Sequence, residues 1–153
     1  MALNRLQKSS GLSLLAVVLF CLIGFSTASA AKAENSDEAL ATIRDLISQQ
    51  VAAFQNRDAE AAFALASPMV RSKFGSPQNF MMTVKTHFDY LYSTKSFSFG
   101  KHVEDDGFAF QEVEFVSAGD GSIHMILFKL IRFKDLGWRI TAIQPVPIPD
   151  SKI

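Results

Sequence analysis

The residues able to do chemistry in this chain of 153 residues are few and scattered. His87, His102 and His124 are its only histidines. Their spacing fits no compact metal motif, and no HExxH pair occurs. His87 falls beside the apolar stripe of a helix and His124 between Ile123 and Met125 on a strand. They read as packed histidines satisfied by hydrogen bonds rather than as ligands or bases. Glu112 and Glu114 share one strand face by the period of two. Buried together, two carboxylates could do acid–base work. Phe108 and Phe110 precede them on that face, however, so it is expected to be core at one end and solvent at the other. The glutamates are then solvated or paired with arginine. Asp58-x-Glu60 reads as a cap and surface charge. Asp105-Asp106-Gly107 and Asp120-Gly121 hold too few oxygens for a calcium loop and read as turns. Ser96 and Ser98 have no evident base, and no GxSxG elbow, Walker loop or dinucleotide fingerprint occurs. No catalytic residue, metal or cofactor is expected.

A different chemistry is offered by Met81, Met82, Phe88, Tyr90 and Tyr92, an aromatic and thioether-rich patch. It reads either as ordinary core with one wet tyrosine edge or as the wall of a pocket for an apolar small molecule. As a pocket, Phe88 and Tyr92 would face Phe110, Met125, Leu127 and Trp138 of the sheet.

Several elements must position these side chains. Ser36, with Asp37 and Glu38 after it, reads as the cap of a first helix whose apolar residues fall at Leu40, Ile43, Ile47, Val51 and Phe54. Asp58 caps a second helix, which Ser67-Pro68 interrupts before one more turn ending at Gly75. Ser76-Pro77 opens a third helix, striped by Phe80, Val84, Phe88 and Leu91 and ending near Tyr92. The period then changes. A strand around Phe97 and Phe99, a hairpin at Asp105-Asp106-Gly107, and strands over 108–116, 123–133 and 138–143 follow. The strand over 123–133 is apolar on both faces, as for a central strand covered on both sides. Pro145, Pro147 and Pro149 should take the chain out of the sheet. The fold class is α+β, three N-terminal helices packed on a curved four-stranded antiparallel sheet.

That order resembles the nuclear transport factor 2-like superfamily (ketosteroid isomerase-like, cystatin-like). More closely, the run from Asn56 to Pro68, Lys73-Phe74-Gly75-Ser76-Pro77, Gln111-Glu112-Val113-Glu114 and Gly137-Trp138-Arg139-Ile140 resemble one bacterial branch of it, a domain family of unknown function. The resemblance covers roughly residues 40–147 and implies a helical layer cradled by a bent sheet, often with a conical pocket between them. It carries almost no function, because one fold hosts many. The superfamily's isomerase pairs an aspartate base with a tyrosine and a protonated aspartate. This chain has no strand pair between its helices, so those positions have no equivalents and none is carried over.

Residues 1–30 carry Arg5, Lys8 and no acid, then an apolar run from Gly11 to Phe25, then small residues. This is the plan of a cleavable export signal, with Ala28, Ala30 and Ala31 around a cut after Ala30. The alternative cut is after Ala33. The run is about 15 residues, short of the roughly 20 of a spanning helix. Cys21, the single cysteine, lies inside it, so the exported domain would have no thiol. Cleavage takes Lys+Arg from 15 to 13 against 15 Asp+Glu, about −2. No basic stripe suggests nucleic acid, and no stable membrane anchor is expected after the cut. The expected organisation is a signal over 1–30, a flexible leader over 31–36, one domain over 37–148 and a tail over 149–153. The chain is expected to be periplasmic or secreted, as a non-enzymatic ligand-binding or protein-interaction module. The alternatives are a small isomerase- or cyclase-type enzyme using a pocket between helices and sheet, and a structural module that forms a homodimer through its sheet face.

Overall fold

The computed structural model describes residues 27–148, with side chains from Ser36 onward. The apolar run, Cys21 and the tail over 149–153 lie outside the described residues, as do the side chains of Ala28, Ala30 and Ala31. By its internal contacts the chain divides between Asn35 and Ser36, and the packing below is that of the unit beginning at Ser36. Among the described residues, no helix is long and apolar enough to cross a membrane.

Helix α1 runs Thr27–Gln55. It corrects the expectation of a flexible leader and a cap at Ser36: residues 31–36 are helical. The alanine-rich stretch before Ser36 is itself a good helix former, so nothing there forces a start. Its buried face holds Ile43, Ile47, Val51 and Phe54 of the expected stripe, with Ala39, Leu46, Gln50 and Ala53 added, while Leu40 is only half-buried.

Helices α2 (Ala59–Ala64), α3 (Pro68–Phe74) and α4 (Pro77–His87) follow. Asp58 and Ser76 cap α2 and α4 as expected, and Ser67 caps α3 as well. The Asp58 carboxylate accepts from the Ala61 amide at 3.0 Å, the Ser67 hydroxyl from Val70 at 3.3 Å and the Ser76 hydroxyl from Asn79 at 3.2 Å. The stretch expected to be one extra turn of the second helix is a helix in its own right. Ser67 caps it and Pro68 sits at its first position, where a missing N–H costs nothing. There are thus four α-helices among the described residues, not three. Phe88, at φ −142°, breaks the helical path, and a 3-10 turn over Asp89–Tyr92 replaces the expected last turn.

Gly75 ends α3 at φ +73°, and its amide donates to the Arg71 carbonyl at 2.9 Å. A Cβ there would meet nothing within 4 Å, so an alanine would suffer only the left-handed backbone. Gly75→Ala is expected to cost about 1 kcal/mol, read as a lower urea midpoint at an unchanged slope.

The strands are β1 (Thr94–Asp105), β2 (Phe108–Ser117), β3 (Ile123–Phe133) and β4 (Gly137–Val146), paired antiparallel in chain order in a sheet that does not close. Asp106 at φ +42° and Gly107 at φ +79° make the first hairpin turn, the backbone its Asp-Gly pair favours. Pro145 and Val146 do not leave the sheet: they pair with Ile126 and Met125. A residue without an N–H is tolerated because β4 is an outer strand. The β1–β2 register shifts between Phe99 and His102. The buried Gln111 side chain fills that bulge, donating to the Gly100 carbonyl at 3.1 Å and the Glu112 carbonyl at 2.8 Å. Such a bulge bends the strand that carries it.

The helices cover one face only. Ala109, Gln111, Val113 and Phe115 of β2 and Ile126, Phe128 and Leu130 of β3 point into the core. Phe108 and Phe110, expected to begin a core face, are on the opposite side and exposed, with Glu112 and Glu114 following them half-buried. Alternation defines two faces, and the register against Ile126 and Phe128 decides which one is inward.

Candidate functional site

The site is built where α3, α4 and β4 meet. The junction between α2 and α3 is tied to β4 by backbone bonds: the Ser67 amide donates to the Ile140 carbonyl at 2.8 Å and the Ile140 amide to the Leu65 carbonyl at 3.2 Å. Ala66 thereby bridges Ile140 in parallel. The pinned junction holds α3 beside the strand, and Gly75 reverses the chain so that α4 returns alongside. Between them lies a cavity of about 230 Å³. Its wall is mostly apolar: Val70 and Phe74 from α3, Phe80, Val84 and Phe88 from α4 and its end, Ile140 and Ile143 from β4. An apolar cavity of about 150 Å³ accommodates benzene, so this one has room for a ring with a short chain.

Phe80 forms the floor. Its ring centroid lies 5.4 Å from that of Phe74, 5.6 Å from Phe63 and 6.2 Å from Phe54. These are the distances of favourable aromatic pairs. Four polar side chains reach the wall: Gln50, Lys73, Thr83 and Thr141. The Thr83 hydroxyl is engaged, donating to the Asn79 carbonyl at 2.9 Å. The Thr141 hydroxyl accepts from Ser67 at 3.4 Å. Gln50 is 1% exposed. Its amide nitrogen donates weakly to the Ala62 carbonyl at 3.4 Å, while its carbonyl oxygen has no partner. Lys73 is exposed at the rim, its ammonium 5.9 Å from the Phe74 ring centre.

Of the six pocket residues expected from sequence, only Phe88 borders this cavity. Tyr92 borders a separate, wider groove beside Met81, Met82 and Asp89, with its hydroxyl donating to the Met81 carbonyl at 2.9 Å. Trp138 is buried in the core. Phe110, Met125 and Leu127 lie on the outer face of the sheet, in register away from the helices. The proposed six therefore do not converge. The signal for the wall of this cavity is the Phe80–Val84–Phe88 stripe at helical spacing.

The histidines separate three ways. His87 is exposed, against the expectation of a packed side chain. His124 is satisfied: its Nε2 meets the Ser122 hydroxyl at 2.9 Å, and its ring stacks on Tyr90 at 3.8 Å between centroids and 2° between planes. Asp120 caps that turn, accepting from the Ser122 amide at 3.0 Å and hydroxyl at 2.7 Å. These bonds hold its carboxyl below the usual range. His102, half-buried on β1, has Nε2 3.9 Å from a Glu104 oxygen and no hydrogen-bond partner. No three His, Cys, Asp or Glu among the described residues group to hold a metal.

Burial, with the charge of Asp89 adding, pushes the Tyr90 phenol up from 10.0 to about 12. The native state favours the neutral phenol. Its contribution to stability is complete below about pH 10 and is lost as pH rises through about 12. Tyr90→Phe should flatten the alkaline limb of stability against pH over that window, checked by urea unfolding at a series of pH values.

A family described as "Domain of unknown function (DUF4864)" matches residues 36–153. No curated protein and no solved structure gives a significant match.

Proposed function

We propose that this chain, which belongs to the DUF4864 family of domains of unknown function, is an exported binding module that holds an apolar small molecule between its helices and β4. One observation carries the reading. The cavity is walled by aromatic and aliphatic side chains, and its polar groups include neither a carboxylate nor a histidine. Sites that bind without transforming need shape and one or two orienting contacts. An isomerase or cyclase of the expected kind needs a buried acid or imidazole aimed at the ligand, and His102 and Glu104 are not among the lining residues.

The layered arrangement of helices over one face of a bulged antiparallel sheet supports the nuclear transport factor 2-like reading of the fold. The export reading rests on the three-part plan of residues 1–30. Amino-terminal sequencing of the chain recovered from the periplasm or medium tests it: Ala31 as the first residue supports export, and an intact Met1 in the cytoplasm contradicts it. Binding is tested by thermal unfolding with n-propylbenzene. At a hundred times its dissociation constant, a ligand of the folded state adds about 2.7 kcal/mol. No stabilisation by any small apolar probe would remove the reading.

A second reading is assembly of two copies through the outer sheet face. Val103 and Phe108 are 58% and 51% exposed there, beside Phe110 and Ile131, and contiguous apolar patches mark contacts. The occupant is a second copy because the face carries both signs of charge, Glu112 and Glu114 beside Lys129 and Arg139. It can therefore complement itself across a two-fold axis. Light scattering at micromolar concentration decides it: a dimer lost in Phe108→Glu supports the reading, and a monomer contradicts it.

A further inference from the structure

We propose that the cavity works together with the free edge of β4 to hold a short extended peptide. One apolar side chain of the peptide fills the cavity while its main chain adds to the sheet. The inference rests on the reading of the cavity as a binding site and names the kind of partner that presents the apolar group.

β4 is the last strand of an open sheet, so one of its edges has no neighbouring strand. Which main-chain groups face that edge follows from the ladder. In an antiparallel pair, residues alternate between turning their N–H and C=O toward the neighbour and away from it. The Arg132 amide donates to the Gly107 carbonyl at 2.8 Å, so Arg132 turns to the β2 side. β3 pairs with β2 without interruption, so Leu130, Phe128 and Ile126 turn the same way. Their partners in β4 are Ile140, Ile143 and Pro145, with Thr141 the extra residue at a register shift. These three therefore turn to the free edge. Two observations agree. Ile140 does bond outward, to Leu65 and Ser67, and Pro145, which has no N–H to give, stands where the ladder needs none.

The lane beside Ile140 is filled by the chain itself: Ala66 bridges it in parallel, and Pro68 then takes the chain into α3. Further along, Ile143 offers an N–H and a C=O, and Pro145 a C=O. Among the described residues no main-chain group of another element bonds them. The Ile143 side chain lines the cavity. A residue paired with Ile143 across the edge places its own side chain on the same face of the sheet, and so toward the cavity. Ladder bonds that hold a main chain, beside a pocket that selects a side chain, are the two parts of recognition by strand addition. A small apolar molecule uses only the second part. The segment Leu65–Ser67 shows that this edge accepts an added strand.

The cavity of about 230 Å³ has room for a phenylalanine side chain. In antiparallel entry that phenylalanine exchanges both main-chain bonds with Ile143, and the residue two before it donates to the Pro145 carbonyl. The residue between them turns its N–H away from β4. The filled lane at Ile140 makes the peptide leave the sheet just after the phenylalanine.

The test titrates the isotopically labelled full-length chain with acetyl-Thr-Thr-Phe-Ser-amide, followed by nuclear magnetic resonance. The Ile143 amide should move downfield as it gains an acceptor. N-methylation at the phenylalanine removes its donor and should weaken binding at least about fivefold, the scale of one neutral hydrogen bond. N-methylation at the second threonine, whose N–H faces away, should change it less than about twofold. Alanine in place of the phenylalanine should cost at least about tenfold, the scale of an apolar side chain left unburied. The two N-methyl peptides binding equally would overturn strand addition, because a side chain held alone does not sense which main-chain N–H is blocked. No binding of the parent peptide while n-propylbenzene still binds would overturn the peptide as partner and leave the cavity reading intact. Failure of both would instead remove the cavity reading.

Discussion

Phe80→Ala is expected to destabilise the domain by about 3–5 kcal/mol, as for other buried phenylalanines cut to alanine. Phe80 is 7% exposed and joins three other rings, Phe54 of α1, Phe63 of α2 and Phe74 of α3. Its removal deletes contacts to three helices at once and opens the floor of the cavity into the core. Equilibrium urea unfolding reads the loss. The enlarged cavity should also shift preference toward longer alkylbenzenes. A cost under about 1 kcal/mol would mean that the aromatic cluster is not what holds α4 to α1.

Val70→Trp is expected to abolish binding while leaving the fold in place. Val70 is half-buried on α3 and faces the cavity. An indole there fills space that is empty rather than forcing a packed core apart, so the usual penalty of about 1–3 kcal/mol for overpacking is largely avoided. The affinity for n-propylbenzene should fall by at least about tenfold, with the unfolding midpoint unchanged or higher. Retained affinity in a folded Val70→Trp protein would place the ligand elsewhere.

What could be read from the chain before its structure was local. Asp58 and Ser76 announce helix starts because each offers an oxygen to an amide three residues on, a bond that needs no tertiary partner. Gly75 and Asp106-Gly107 announce reversals because few other residues take a positive φ at low cost. The bounds of β3 follow from its long β-branched and aromatic run. The antiparallel order follows from short turns, which cannot join parallel neighbours.

What was not legible depended on partners far along the chain. Phe108 and Phe110 look like core, yet β2 turns Ala109 and Gln111 inward, because Val113 and Phe115 must meet the helices and the period of two carries the rest. The expected pocket failed for the same reason: Phe110, Met125 and Leu127 share one face, and it is the wrong one. The cavity draws on α1, α3, α4 and β4, and no periodicity in a single segment reports a void among four. The start of α1 was missed because a good cap at Ser36 does not oblige a helix to begin there. Gln50 and Gln111 sit as amides among apolar side chains, and their burial depends on packing that no single segment reports.

The most direct measurement of the central claim is a titration of the isotopically labelled chain with n-propylbenzene, followed by methyl and aromatic resonances in nuclear magnetic resonance. The account predicts saturable shifts at Val70, Phe80, Val84, Ile140 and Ile143, and none of these in Val70→Trp. Shifts confined to Val103, Phe108 and Phe110 of the outer sheet face, or no saturable shift at all, would contradict it.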